Sequence, residues 1–193
     1  MTTVAPLKPE KLRWKPYSKG DFYSDVKKKV DLYFKENHLS PHADKAIWIK
    51  GIVLTSIYLS CYAGILSNHF QLMGLMLLYG TLGLTKGLIG FNLIHDALHG
   101  ALTSSPFWNR FIGYWFDLNG TSSHIWKVTH NVLHHTFTNI PGHDHDIDKA
   151  IILRLNPSDK PYWFHRFQQW YAPVLYGLIG FNWVFYSDLA WFI

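Results

Sequence analysis

From Gly51 through Thr85 the chain carries no Asp, Glu, Lys or Arg. That run is too long for one strand or one soluble core helix, and about right for two closely joined membrane crossings. In hydrocarbon each backbone N–H and C=O must find its partner within the segment, which selects helix. Ser67-Asn68-His69 is the natural turn inside the run. The sequence therefore predicts a helical hairpin with crossings at about 47–66 and 70–94. Lys86 lies about 24 Å beyond Phe70 at the helical rise, near the expected end of the hydrocarbon, where its ammonium snorkels to the headgroups.

A second uncharged run, Phe167–Ser187, opens a third crossing at about 172–193, with Pro173 suited to an early helical position. The short apolar stretch Phe107–Leu118 contains Arg110 and Asp117 and reads as an interfacial or re-entrant helix. Nine Trp, eleven Tyr and thirteen Phe suit a chain that meets the membrane–water boundary. The fold class is thus an all-α membrane protein, a transmembrane hairpin plus a third span with a helical, histidine-rich cap on the cytosolic side. The region 46–193 is read as one domain.

The net charge of +5 does not point to nucleic acid, because eleven of the eighteen Lys and Arg fall in the first fifty residues, without RNA-binding signatures. Residues 1–45 form a basic cytosolic segment. Its start is kept irregular by Pro6, Pro9 and Pro16, and an amphipathic helix follows at about Asp21–Asn37 with Val26, Val30 and Phe34 in helical spacing. Basic residues ahead of the first crossing put the N-terminus in the cytoplasm, and two crossings return the chain there near His95. Cys61 is the one cysteine, which excludes an internal disulfide and leaves a small packing residue.

Eight of the twelve histidines lie between His95 and His145. His95 and His99 stand one helical turn apart, a separation that lets two imidazoles share a metal. His130 and His134 repeat the pair, and His135 adds an imidazole turned by about 100° on a regular helix. Imidazole alone admits Zn, Cu, Ni or Fe. Five such donors exceed the three that a catalytic zinc takes and point to a dinuclear centre, while the lack of clustered cysteines argues against a zinc finger. Asp96 reads either as a carboxylate that sets a histidine tautomer or as a solvated helix residue, and Asn131 is a similar case. His143, Asp144, His145, Asp146 and Asp148 form a polar tract that reads as a loop near the substrate headgroup or behind the ligands, with a second metal site as the alternative. His124, His38, His42, His69 and His165 are taken as ordinary, and Trp126, Trp163 and Trp170 as lining the membrane surface or an acyl tunnel.

The run His95-Asp96-Ala97-Leu98-His99-Gly100, then His130-Asn131-Val132-Leu133-His134-His135-Thr136, then Gly142-His143-Asp144-His145-Asp146, resembles the membrane fatty acid desaturases. The nearest group is the linoleoyl-CoA or front-end desaturase-like branch, with matching features over roughly 70–193. The resemblance implies a four-helix membrane fold under a cytosolic cap, two irons held by histidines from three boxes, and a tunnel for the acyl chain. It also implies O₂ as co-substrate and the removal of two hydrogens from adjacent methylenes of an acyl-CoA or acyl-lipid. The positions matching its metal ligands are His95, His99, His130, His134 and His135. A third box does not occur in these residues, so the chain is read as the N-terminal portion of such a protein, incomplete at its C-terminus and inactive alone. Electrons would come from a separate ferredoxin- or cytochrome b5-type donor. The chain would be multi-pass in a bacterial inner membrane or the endoplasmic reticulum, among membrane lipid and without nucleic acid. The alternatives are a membrane di-iron lipid hydroxylase and a non-catalytic metal-binding membrane module.

The charge asymmetry makes a topological prediction. A cysteine introduced at Gly142, in a Cys61→Ser background, stays unlabelled when intact cells meet an impermeant thiol reagent and is labelled after lysis; labelling from outside would place the histidines on the other face.

Overall fold

The computed structural model describes residues 22–144, 146–147 and 151–192. Pro6, Pro9, Pro16, His145 and Asp148 lie outside the described residues. The described residues are helical, with no strand among them. They divide into two compact units, one before and one after the boundary between Leu118 and Asn119.

The first unit opens with α1, Phe22–Glu36, which buries none of its residues. Its helical stripe of Val26 and Val30 stays exposed, as suits a solvated or membrane-surface helix. Asp44 then caps α2, Lys45–Leu66, its carboxylate accepting from the Ile47 N–H at 2.9 Å. The 22 residues of α2 extend about 33 Å, enough for a hydrocarbon core of about 30 Å. The hairpin turn falls at the predicted residues. Asn68 takes a left-handed φ of 56°, and the Ser67 hydroxyl donates to the Gly64 carbonyl at 2.7 Å.

The returning helix starts as α3, Leu72–Ile89, passes through a π-helical turn at Gly90–Ile94 and ends as α4, His95–Leu98. It is thus longer than the predicted 70–94, and the first histidine of the pair is carried on the end of the long helix itself. Both long helices satisfy the length and apolarity of a membrane span, and only 11 % of the most apolar window of either is buried. A core helix of a water-soluble protein would bury most of it, so both helices are candidate membrane spans.

Where α2 and the returning helix touch, the fit is close. A Cβ on Gly51 would sit 2.5 Å from Leu93 Cδ2, so a side chain here would require the buried Leu93 to shift. Beneath it Ile89, Leu93, Ile94, Ala97, Leu98 and Leu102 form the buried core of this unit. After the turn, Ser105 and Pro106 start α5, Pro106–Gly113, followed by α6, Trp115–Leu118. Phe107, Trp108 and Phe111 project from α5 into the surroundings, and its eight residues are too few to cross a bilayer.

The second unit carries α7, Ser123–Trp126, a π-helical segment at Lys127–His134 and α8, His135–Phe137, as one continuous helix. A 3₁₀ turn at Trp163–Phe167 leads into α9, Gln168–Asn182, a third π turn at Trp183–Ser187 and α10, Asp188–Phe192. The helix begins before the predicted residue 172, so Pro173 lies inside α9 and not at its start. The 3₁₀ turn feeds the helix at the start of the uncharged run, which opens at Phe167. The N–H that proline lacks is the one that would have reached the Gln169 carbonyl.

Filling the gap at Gly51 tests the packing. Gly51→Val forces Leu93 aside and lowers stability by about 1–3 kcal/mol, read as a drop in the thermal unfolding midpoint in detergent, while Gly80→Val, where no atom lies within reach of a new Cβ, costs less.

Candidate metal centre

His95 and His99 stand on the last turn of the returning helix, and the chain must leave that helix at once. It does so through a glycine cap. The Gly100 N–H donates to the Ala97 carbonyl at 2.9 Å and the Ala101 N–H to the Asp96 carbonyl at 2.8 Å, with Gly100 at φ 74°. The two imidazoles meet with Nε2 atoms 3.3 Å apart and ring centroids 4.5 Å apart. His95 Nδ1 lies 3.2 Å from Asp96 Oδ1, on the opposite side of the ring from the Nε2 that faces His99.

The second group departs from the regular α-helix that its spacing suggested. Through Lys127–His134 the ladder is π-helical, so residues five apart become neighbours. His130 and His134 stack with rings tilted 17° and centroids 5.1 Å apart, and His135 comes within 4.8 Å of His130 edge-on. On a regular helix His135 would point about 140° away from His130. The π turn gathers three rings that an α-helix would spread.

Behind these rings stand two carboxylates from the loop that follows. Asp144 is fully buried and accepts from His134 Nδ1 at 2.9 Å, from the Asn139 N–H at 2.8 Å and from the Asp146 N–H at 2.9 Å. Asp146 Oδ2 lies 3.2 Å from His130 Nδ1 and 3.6 Å from His134 Nδ1. The loop bends to reach them through Asn139 and Gly142, both in the left-handed region. Asp144 and Asp146 thus both face the rings of the second histidine group. His143 packs against Phe137, and Asn131 is half-buried on the π segment.

Burial pushes the Asp144 pKa up, but the Asn139 N–H, the His134 imidazole and the Asp146 N–H outweigh it and hold the carboxyl below its ordinary range. A depressed carboxyl stabilises the fold at neutral pH and loses that contribution only as pH falls through its folded value. Burial lowers the His130 pKa from 6.5, opposed by the hydrogen bond and charge of Asp146. Neutral imidazole is the form that ligates metal, so His130 is ready at a lower pH than a free histidine.

His130, His134 and Asp146 place ligand atoms within 4.8 Å of one another, close enough to hold one ion. Neutral imidazoles with carboxylates behind them suit iron, zinc or copper. Two contributors were not visible as such in the sequence. Trp126, buried to 6 % exposure, stacks on His130 at 4.4 Å with a 26° tilt, and only its one-turn spacing from His130 hinted at this. Trp163 and Trp170 are exposed, as is His124. Asn139 supplies its backbone to Asp144, a role that no side-chain pattern announces.

Asp144→Asn tests the loop. An amide offers one acceptor oxygen where the carboxylate serves three donors with two, so a buried donor loses its partner. The expected outcome is metal affinity reduced by about 10- to 100-fold, measured by cobalt(II) titration, with a parent titration that strengthens as pH rises towards neutrality.

The fatty acid desaturase model matches residues 67–193. Among curated relatives, an sn-1 linoleoyl-lipid 6-desaturase of Synechocystis is 34 % identical over 88 % of this chain and 47 % of its own length. One of the same name from Arthrospira platensis is 32 % identical over 84 % of this chain and 44 % of its own. An acyl-lipid (8-3)-desaturase of Physcomitrium patens is 32 % identical over 89 % and 36 % respectively. The chain thus spans less than half the length of these relatives. No solved structure matches it. A family match over two thirds of the chain, taking in both histidine groups, establishes that the chain belongs to the fatty acid desaturases, a family of oxidoreductases.

Proposed function

We propose that this chain carries the first two histidine boxes of an O₂-dependent acyl desaturase whose resident metals are two irons. The observation that carries the reading is the repeated pairing of an imidazole Nδ1 with a carboxylate, at His95, His130 and His134, the arrangement by which a metal-ligating histidine is oriented to bind through its other ring nitrogen. His95, His99, His130, His134 and His135 are the ligands. Asp96, Asp144 and Asp146 hold their rings in orientation, while Asn131 and His143 stand nearby as substrate-side residues. Bound iron supplies the oxygen activation by which two hydrogens leave adjacent methylenes. The protein's own part is to keep the imidazoles neutral and fixed, and to set them at the end of a lipid-facing helix where an acyl chain lies within reach.

The acyl chain is carried on a lipid, a choice that the names of the relatives favour over acyl-CoA. Helices α2 and α3 form a hairpin in the bilayer and α9 to α10 make the third crossing. The basic N-terminal segment and the boxes face the cytoplasm, in a bacterial inner membrane or the endoplasmic reticulum. A separate ferredoxin- or cytochrome b5-type protein delivers the electrons.

The test is expression, in a host fed linoleate, of this chain and of the longest polypeptide that contains it, followed by chromatography of the lipid acyl groups. A new double bond that vanishes with His134→Ala supports the reading. A retained hydroxyl would make the protein a hydroxylase, and iron-free protein with unchanged lipids would overturn the metal reading.

A further inference from the structure

Asp188 ends the uncharged run of the third apolar helix, and it is 5 % exposed. A carboxylate there breaks the pattern of its surroundings. Its Oδ2 accepts a hydrogen bond from the Ser122 backbone N–H at 2.5 Å, while Oδ1 is buried with no hydrogen-bond partner among the described residues. An apolar residue would suit the helix better, so a local rule is broken for something that Asp188 does elsewhere.

What it holds is the start of the helix that carries the second box. Ser122 is the N-cap of α7. Its hydroxyl accepts from the Ile125 N–H at 3.3 Å and its carbonyl from the Trp126 N–H at 3.0 Å. Trp126 in turn stacks on His130. The loop before Ser122 is pressed onto the same helix: Gly120 has a φ of 84°, and a Cβ there would meet Val184 Cγ1 at 3.1 Å. Val184 and Asp188, four residues apart, form one face. The π turn between them inserts a residue into the helical ladder and so sets where Asp188 points.

We propose that Asp188 is a positioning residue of the histidine centre: through the Ser122 N–H it anchors the helix of residues 123–137, and with it His130 and His134, to the third apolar helix. This rests on the metal reading of the preceding subsection. The contact runs from Asp188 to Ser122, along α7 to Trp126, and from Trp126 to His130, so a loosened anchor reaches the ligands without touching them.

The test uses the full chain in detergent with cobalt(II) as the probe, and amide hydrogen exchange as a readout independent of metal. Asp188→Leu removes the acceptor and Asp188→Asn keeps one. Asp188→Leu is expected to weaken cobalt(II) binding by about tenfold or more and to speed exchange across 122–137, leaving 172–182 protected, and Asp188→Asn to recover most of both. Gly120→Ala, which pushes the loop off Val184, is expected to loosen the same segment and serves if Asp188→Leu does not fold. Parent-like affinity and exchange in Asp188→Leu, or in both Asp188→Asn and Gly120→Ala if Asp188→Leu does not fold, would overturn the proposal. A parent chain that takes up no cobalt(II) at all would instead sink the metal reading, and the positioning role with it, whatever the exchange shows of the anchor.

Discussion

Backbone groups in hydrocarbon have no water to turn to, and the uncharged run from Gly51 to Thr85 has to answer that constraint with helix. The consequences reach the chemistry. The returning helix ends at His95 and His99 because Gly100 accepts the left-handed conformation that closes it. The two imidazoles are therefore borne on the stiff end of a long apolar helix. A loop could carry the same imidazoles, but it would hold them less exactly than a capped helix end does.

Three π-helical turns recur where the chain needs something other than a regular helix: before His95, through His130 and His134, and before Asp188. Each costs hydrogen-bond geometry, and each moves side chains that matter. The first lets Leu93 meet Gly51, the second draws His135 back towards His130, and the third aims Asp188 at Ser122. Distortion of this kind gathers at functional sites because a regular helix cannot supply the same convergence.

The electrostatics follow one rule. A neutral imidazole binds metal through one nitrogen while the other keeps its proton, and a carboxylate that accepts that proton's hydrogen bond fixes the tautomer and the ring orientation. Asp96 is the next residue in sequence and serves His95 locally. Asp144 and Asp146 serve His134 and His130 across a tight loop, which is why Asp144 is buried with three donors around it.

Much of this was legible in the residues alone. The hairpin, its turn at Ser67-Asn68-His69, a short helix near Phe107 and the pairing of His95 with His99 all follow from charge spacing and the period of a helix, which are local properties. The roles of Asp144 and Asp146 were legible only as a polar tract, since a carboxylate next to a histidine in sequence says nothing of which ring it will face. Trp126 beneath His130 was hinted at only by its one-turn spacing, and Asp188 against Ser122 was not legible at all. Both are contacts between side chains and elements whose meeting depends on how helices bend and dock. The sequence determined which residues are apolar, which are donors and how far apart they lie along the chain. The tertiary structure decided which nitrogen each carboxylate holds and which helix end is anchored to which, because those depend on π turns and close packing that no local pattern encodes.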